Sequence, residues 1–118
     1  MYYDEENIFA KILNKDIPTE VILENKYSIA FKDIAPRAPK HLLIIPKGKY
    51  IKYDDFLNNA SKDEIYGVFS LINELVMKFE LQRSGYRIIT NAGNDANQEV
   101  PHLHFHIFAG EKIGKMVT

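Results

Sequence analysis

Residues 100–110 read VPHLHFHIFAG and hold three of the four histidines of the chain, at positions 102, 104 and 106. On an extended strand successive side chains point to opposite faces, so His102, His104 and His106 share one face and Leu103, Phe105 and Ile107 the other. A solvent-facing strand surface is ordinarily built from Thr, Ser, Lys or Glu. Three imidazoles drawn from a pool of four imply chemistry, and two chemistries compete. Neutral imidazole is a common zinc ligand, and His-x-His on a strand brings two rings toward one ion. His102 and His106, however, lie roughly 13 Å apart along an extended strand, so one ion would need Asp, Glu or His41 to complete its shell. Alternatively, a central imidazole with an unperturbed pKa near 6.5 is a nucleophile toward phosphorus when its second nitrogen is held by a carbonyl or a neighbour. The flanking rings would then donate hydrogen bonds to the oxygens on which negative charge develops.

The stretch before the histidines, NAGNDANQE, is a polar loop whose backbone amides could approach an anion, with Gln98 as a neutral side-chain donor. Upstream, NIFAKILNK places Ile8, Phe9, Ile12 and Leu13 on one helical face, and DIPTE ends that short helix at Pro18. EVILEN and YSIAFKD are apolar runs joined by a turn at Asn25-Lys26, which predicts a hairpin. DIAPRAP is a proline loop leading into HLLIIP, a continuously apolar strand that should be central. SKDEIYGVFSLINELVMKFELQ opens with Ser61 and Glu64 at capping-box spacing and carries Ile65, Phe69, Ile72, Val76 and Phe79 at helical steps, ending at Ser84-Gly85. Val68, Leu71 and Leu75 widen that stripe beyond what one supporting surface requires, which predicts a homodimer contact or a helix nestled in a curved sheet. YRIITN and VPHLHFHIF complete the strands.

The 118 residues carry a net charge of −1, no cysteine and 46% hydrophobic residues, with no repeat or linker. One domain over 1–118 is expected, folding without disulfide or thiolate metal site. Scattered lysines predict no polymeric nucleic-acid partner. The acidic start MYYDEENIF and the lack of a ~20-residue apolar run predict no membrane association and a cytoplasmic protein.

The HLHFHIF run resembles the His-x-His-x-His mark of the histidine-triad superfamily. NIFAKI, IPTEVILE, AFKDIAPRAPKHLLIIPK, GYRIITNAG and QEVPHLHFHIFAG are similar, in order, to blocks of the branch containing the nucleoside phosphoramidases, the HINT proteins. The resemblance implies an α+β fold: a five-stranded antiparallel sheet with one short and one long helix, the sheet continued across a homodimer. It implies hydrolysis of purine nucleotide conjugates of AMP or GMP through a covalent nucleotidyl-histidine, with no cofactor and no metal. His104 becomes the nucleophile; His102 orients it or relays protons, His106 bonds a phosphate oxygen or the leaving group, and His41 reaches the triad from the neighbouring strand. Asp33 accepts from the ribose hydroxyls, and Ile8, Phe9, Ile12, Phe31, Ile34 and Leu43 form the slot for the base. Asn91, Gln98, Glu99 and Val100 surround the phosphate.

The chain departs from the family pattern at four places. Ala96 and Asn97 stand where relatives often have glycines, Glu99 where some carry a hydroxyl donor, and Lys49 where a histidine is common; the tail lacks the Trp-containing ending of some animal members. A dinucleoside polyphosphate hydrolase and a nucleotide-binding regulatory dimer are the rival functions.

Overall fold

The computed structural model describes residues 2–116. Its element order is α1 (Ile8–Leu13), β1 (Val21–Glu24), β2 (Ser28–Lys32), β3 (Lys40–Pro46), α2 (Tyr53–Asn59), α3 (Lys62–Lys78), β4 (Tyr86–Ile89) and β5 (Phe105–Ala109). The five strands form one antiparallel sheet in the order β1-β2-β3-β5-β4, with β3 in the middle as its unbroken apolar sequence requires.

Register divides the sheet into two faces. Ala30 pairs with Ile44, and Leu42 with Ile107; these side chains, with Leu103, Phe105 and Ala109, pack against Val68, Leu71, Ile72, Leu75 and Val76 of α3. On the opposite face Ile29, Phe31, Leu43 and Ile45 meet Phe9 of α1, with Ile12, Leu13 and Val100 alongside. The sheet is therefore covered on both sides, and the shorter helix covers the face that carries His41 and His106.

Local chemistry explains the elements. Asn7 caps α1 by accepting from the Ala10 amide, and Ser61 and Glu64 form the reciprocal capping box of α3. Asn25 organises the β1–β2 turn, its side-chain oxygen accepting from the Tyr27 and Ser28 amides and the Ser28 hydroxyl while its amide donates to the Gly67 carbonyl of α3.

Several sequence expectations are corrected. The sheet and α+β class stand, but there are three α-helices, not two. The unexpected α2 buries only Phe56 and so has no apolar periodicity to announce it. α1 ends at Asn14, ahead of Pro18, because Lys15 turns into the left-handed region with φ 64°. α3 stops at Lys78, where Glu80 takes a left-handed φ of 54° before a 3-10 turn over Leu81–Arg83. On α3 the buried centre is Val68, Leu71 and Leu75, while Phe69 is 41% exposed. β5 begins at Phe105, so His102 and His104 precede the ladder. Among the described residues no helix is long and apolar enough to cross a membrane.

Candidate active site

His104 is buried, and its Nδ1 lies 2.8 Å from the carbonyl of His102. A carbonyl only accepts, so the neutral ring carries its proton on Nδ1 and leaves a bare lone pair on Nε2. Burial pushes the His104 pKa below its ordinary value, opposed by the carbonyl contact and by Asp33 and Glu99, so the ring is neutral at pH 7. Phe9 of α1 stands edge-on to it, ring centres 5.0 Å apart.

A second chain of hydrogen bonds fixes His41 and His106. The Arg37 amide donates to His41 Nδ1 at 3.1 Å, which places the His41 proton on Nε2. That nitrogen donates to His106 Nδ1 at 2.9 Å, leaving the His106 proton on its outer Nε2. Burial lowers the pKa of His41 and pushes that of His106 down to about 4, His104 and His41 adding to the latter shift. Adjacent rings of the trio thus present complementary groups: an acceptor on His104 and a donor on His106, ring centres 5.1 Å apart.

His102 departs from its expected role. Its ring is completely buried, Nε2 donating to the Pro46 carbonyl at 2.9 Å and Nδ1 accepting from the Tyr3 hydroxyl. It is the backbone carbonyl of His102, not its ring, that orients His104. Burial holds the ring neutral, its pKa pushed down to about 4.

Two cavities meet at this site. One, of about 230 Å³, is lined by His41, His104 and His106 with Asp33, Arg37, Asn91, Asn97, Glu99 and Val100. The other, of about 420 Å³, is apolar, and its walls include Ile8, Phe9, Ile12, Phe31, Ile34 and Leu43, all six residues expected to form a base slot. Phe9, Asp33 and Leu43 border both. Ile34 is 95% exposed, so it stands at the rim and not on the floor. Asp33 accepts from the Ala35 amide through one oxygen and places the other 3.4 Å from His41 Nε2.

Gln98 corrects the sequence reading. Its side-chain amide donates to the carbonyls of Ile51 and Val100 and its oxygen accepts from the Gly93 amide, so it braces the loop and has no donor left for a ligand. Arg37 was missed, since an arginine inside a proline-rich loop carries no local signal. Tyr3 was missed for the same kind of reason, ninety-nine residues from its partner.

Asp33, His41 and His106 bring ligand atoms within 4.8 Å of one another, the arrangement that the metal reading requires. The proton between His41 and His106 would have to leave before an ion bridged those nitrogens.

Comparison with known proteins decides the family, since residues 14–113 match the HIT domain. The chain belongs to the HIT family. This HIT protein is 49% identical over 116 residues to a 13.2 kDa HIT-like protein of Azospirillum brasilense, covering 98% of this chain and 95% of the relative. It is 33% identical over 115 residues to the purine nucleoside phosphoramidase of Escherichia coli K12, covering 97% and 95%. A HIT family hydrolase from Legionella pneumophila superposes with a TM-score of 0.84 at 34% identity, covering 92% of this chain and 96% of that one.

Proposed function

We propose that this HIT protein hydrolyses conjugates of purine nucleoside monophosphates with amines through a nucleotide bound covalently to His104. The observation that carries the reading is the His104 tautomer: a buried neutral ring with Nδ1 donated to a carbonyl and Nε2 bare, in a cavity adjoining an apolar slot of base size. Nε2 attacks phosphorus, forming a P–N bond as the bond to the leaving nitrogen breaks. The departing nitrogen takes up a proton from solvent water. Water then attacks the same phosphorus and gives its proton to solvent, the bond to His104 breaks, and the nucleoside monophosphate leaves. His106 Nε2–H bonds a phosphate oxygen, and Asp33 accepts from the ribose at the junction of the two cavities.

The Escherichia coli relative supports this choice of substrate, being a purine nucleoside phosphoramidase by name. Acid-labile capture of a labelled nucleotide on His104, read by mass spectrometry with an adenosine phosphoramidate, tests it. His104→Ala is expected to abolish capture and lower turnover by at least a thousandfold. Faster cleavage of a diadenosine polyphosphate would transfer the protein to the dinucleoside polyphosphate hydrolases. A cellular phenotype untouched by His104→Ala would favour a regulatory nucleotide-binding module.

The Asp33, His41 and His106 cluster supports the metal reading, as does the name of a Zea mays relative 38% identical over 115 residues, a 14 kDa zinc-binding protein. Turnover is expected to be indifferent to chelator and to fall with added zinc, which competes for the nitrogens that hold His106; restoration by zinc after chelation would reverse the assignment.

We also infer a homodimer that continues the sheet through β4. That strand is an edge, its Tyr86 and Ile88 are each 44% exposed, and Ile88 pairs with Ile107 on the sheet face that α3 covers, where the partly exposed Phe69 meets Phe105.

A further inference from the structure

We propose that Tyr3 is a positioning residue of the active site, whose hydroxyl occupies His102 Nδ1 and so holds the residue-102 carbonyl that keeps the His104 proton on Nδ1 and Nε2 bare. The proposal rests on the reading of His104 as the nucleophile. Both nitrogens of the His102 ring are committed: Nε2 to the Pro46 carbonyl at the end of β3, Nδ1 to Tyr3. The ring is thereby pinned between the central strand and the N-terminal segment. Its own carbonyl is the acceptor that sets the His104 tautomer.

His102 precedes the β5 ladder, so no strand pairing fixes its peptide. That peptide's own N–H, on Leu103, donates to the Tyr50 carbonyl, and the two anchors of the His102 ring add a hold from the side-chain end. Because the ring is buried, a nitrogen left without its donor would have no water to replace it.

The segment carrying Tyr3 is itself held. The Asn7 backbone and side-chain amides both donate to the Asp4 carbonyl, and Asn7 caps α1, whose Phe9 leans on His104. Residues 3–9 therefore grip His102 and His104 from one side. Tyr3 lines neither of the two cavities described above; it opens instead onto a surface with Lys49, Ile51, Lys52 and Asp54. Lys49 on that surface pairs with Glu5 at 3.0 Å, while Tyr3 holds the outer nitrogen of His102.

The test is Tyr3→Phe, which removes one hydroxyl and keeps the ring, beside Ser61→Ala, which weakens the distant cap of α3. Nitrogen-15 NMR of the imidazoles reads the geometry, and adenosine phosphoramidate turnover reads its consequence. In Tyr3→Phe the His102 Nδ1 resonance is expected to move toward that of an unbonded pyridine-type nitrogen, and His104 to gain Nε2-protonated tautomer. The kcat falls about tenfold, the loss of one buried hydrogen bond, with KM within about twofold. Ser61→Ala is expected to change neither resonances nor kcat. Unchanged resonances in Tyr3→Phe, or an equal kcat loss in Ser61→Ala, overturn the proposal. If the resonances move as stated but wild-type protein turns over no phosphoramidate, the positioning role stands and the reading of the reaction falls.

Discussion

His104 and His106 owe their complementary character to backbone groups: a carbonyl fixes one tautomer and, through His41, an amide fixes the other. Such control works only on neutral rings, because a protonated imidazole donates from both nitrogens. Turnover is therefore expected to stay level from pH 8 to about 6.5 and to fall below it, since burial has moved the His104 pKa below 6.5. Stability follows the same sign. His102 is neutral above about 4 when folded but takes a proton near 6.5 when unfolded, so stability present above 6.5 is lost as pH falls toward 4. This one ring accounts for roughly 3 kcal/mol over that window. Denaturant midpoints recorded across it check the sign; midpoints that rise on acidification would contradict it. The importance of the trio was legible in its alternation. The division of labour was not, because it depends on Pro46, Arg37 and Tyr3, which local spacing does not connect to the histidines.

At the scale of elements, local caps and turns were legible, whereas contacts between elements and several element ends were not. The α3 cap and the β1–β2 turn were visible because Ser61-x-x-Glu64 and Asn25 act within a few residues. The place where those two elements dock was invisible. Gly67 lies on α3 where a Cβ would meet the Cβ of Tyr27 at 2.9 Å, and its carbonyl accepts from Asn25 and Ser28. Gly67→Ala is expected to destabilise the fold by about 1–3 kcal/mol despite the better helix propensity of alanine, which a thermal melt would register. A variant as stable as the parent would mean that Tyr27 yields freely. The early ends of α1 and α3 were missed because Lys15 and Glu80 adopt left-handed dihedrals more common in Gly or Asn.

Over the whole molecule, α3 spends its apolar surface in two directions. Val68, Leu71 and Leu75 are sunk against the sheet, while Phe69 and Met77 stay open to solvent. The breadth of the stripe was readable in the sequence, but the surface each residue faces was not. If a second copy covers the β4 side, light scattering will give twice the 13.6 kDa chain mass, and Ile88→Lys will halve it by placing a charge at the seam. A wild-type mass of a single chain would end that inference.

The strand β3 presents His41 near one end and the Pro46 carbonyl at the other, gripping the histidine run at both limits. It behaves as a ruler for the candidate site. Lengthening the loops on either side should be absorbed, whereas one residue inserted between Leu42 and Ile45 would turn one graduation to the wrong face and undo both tautomers at once.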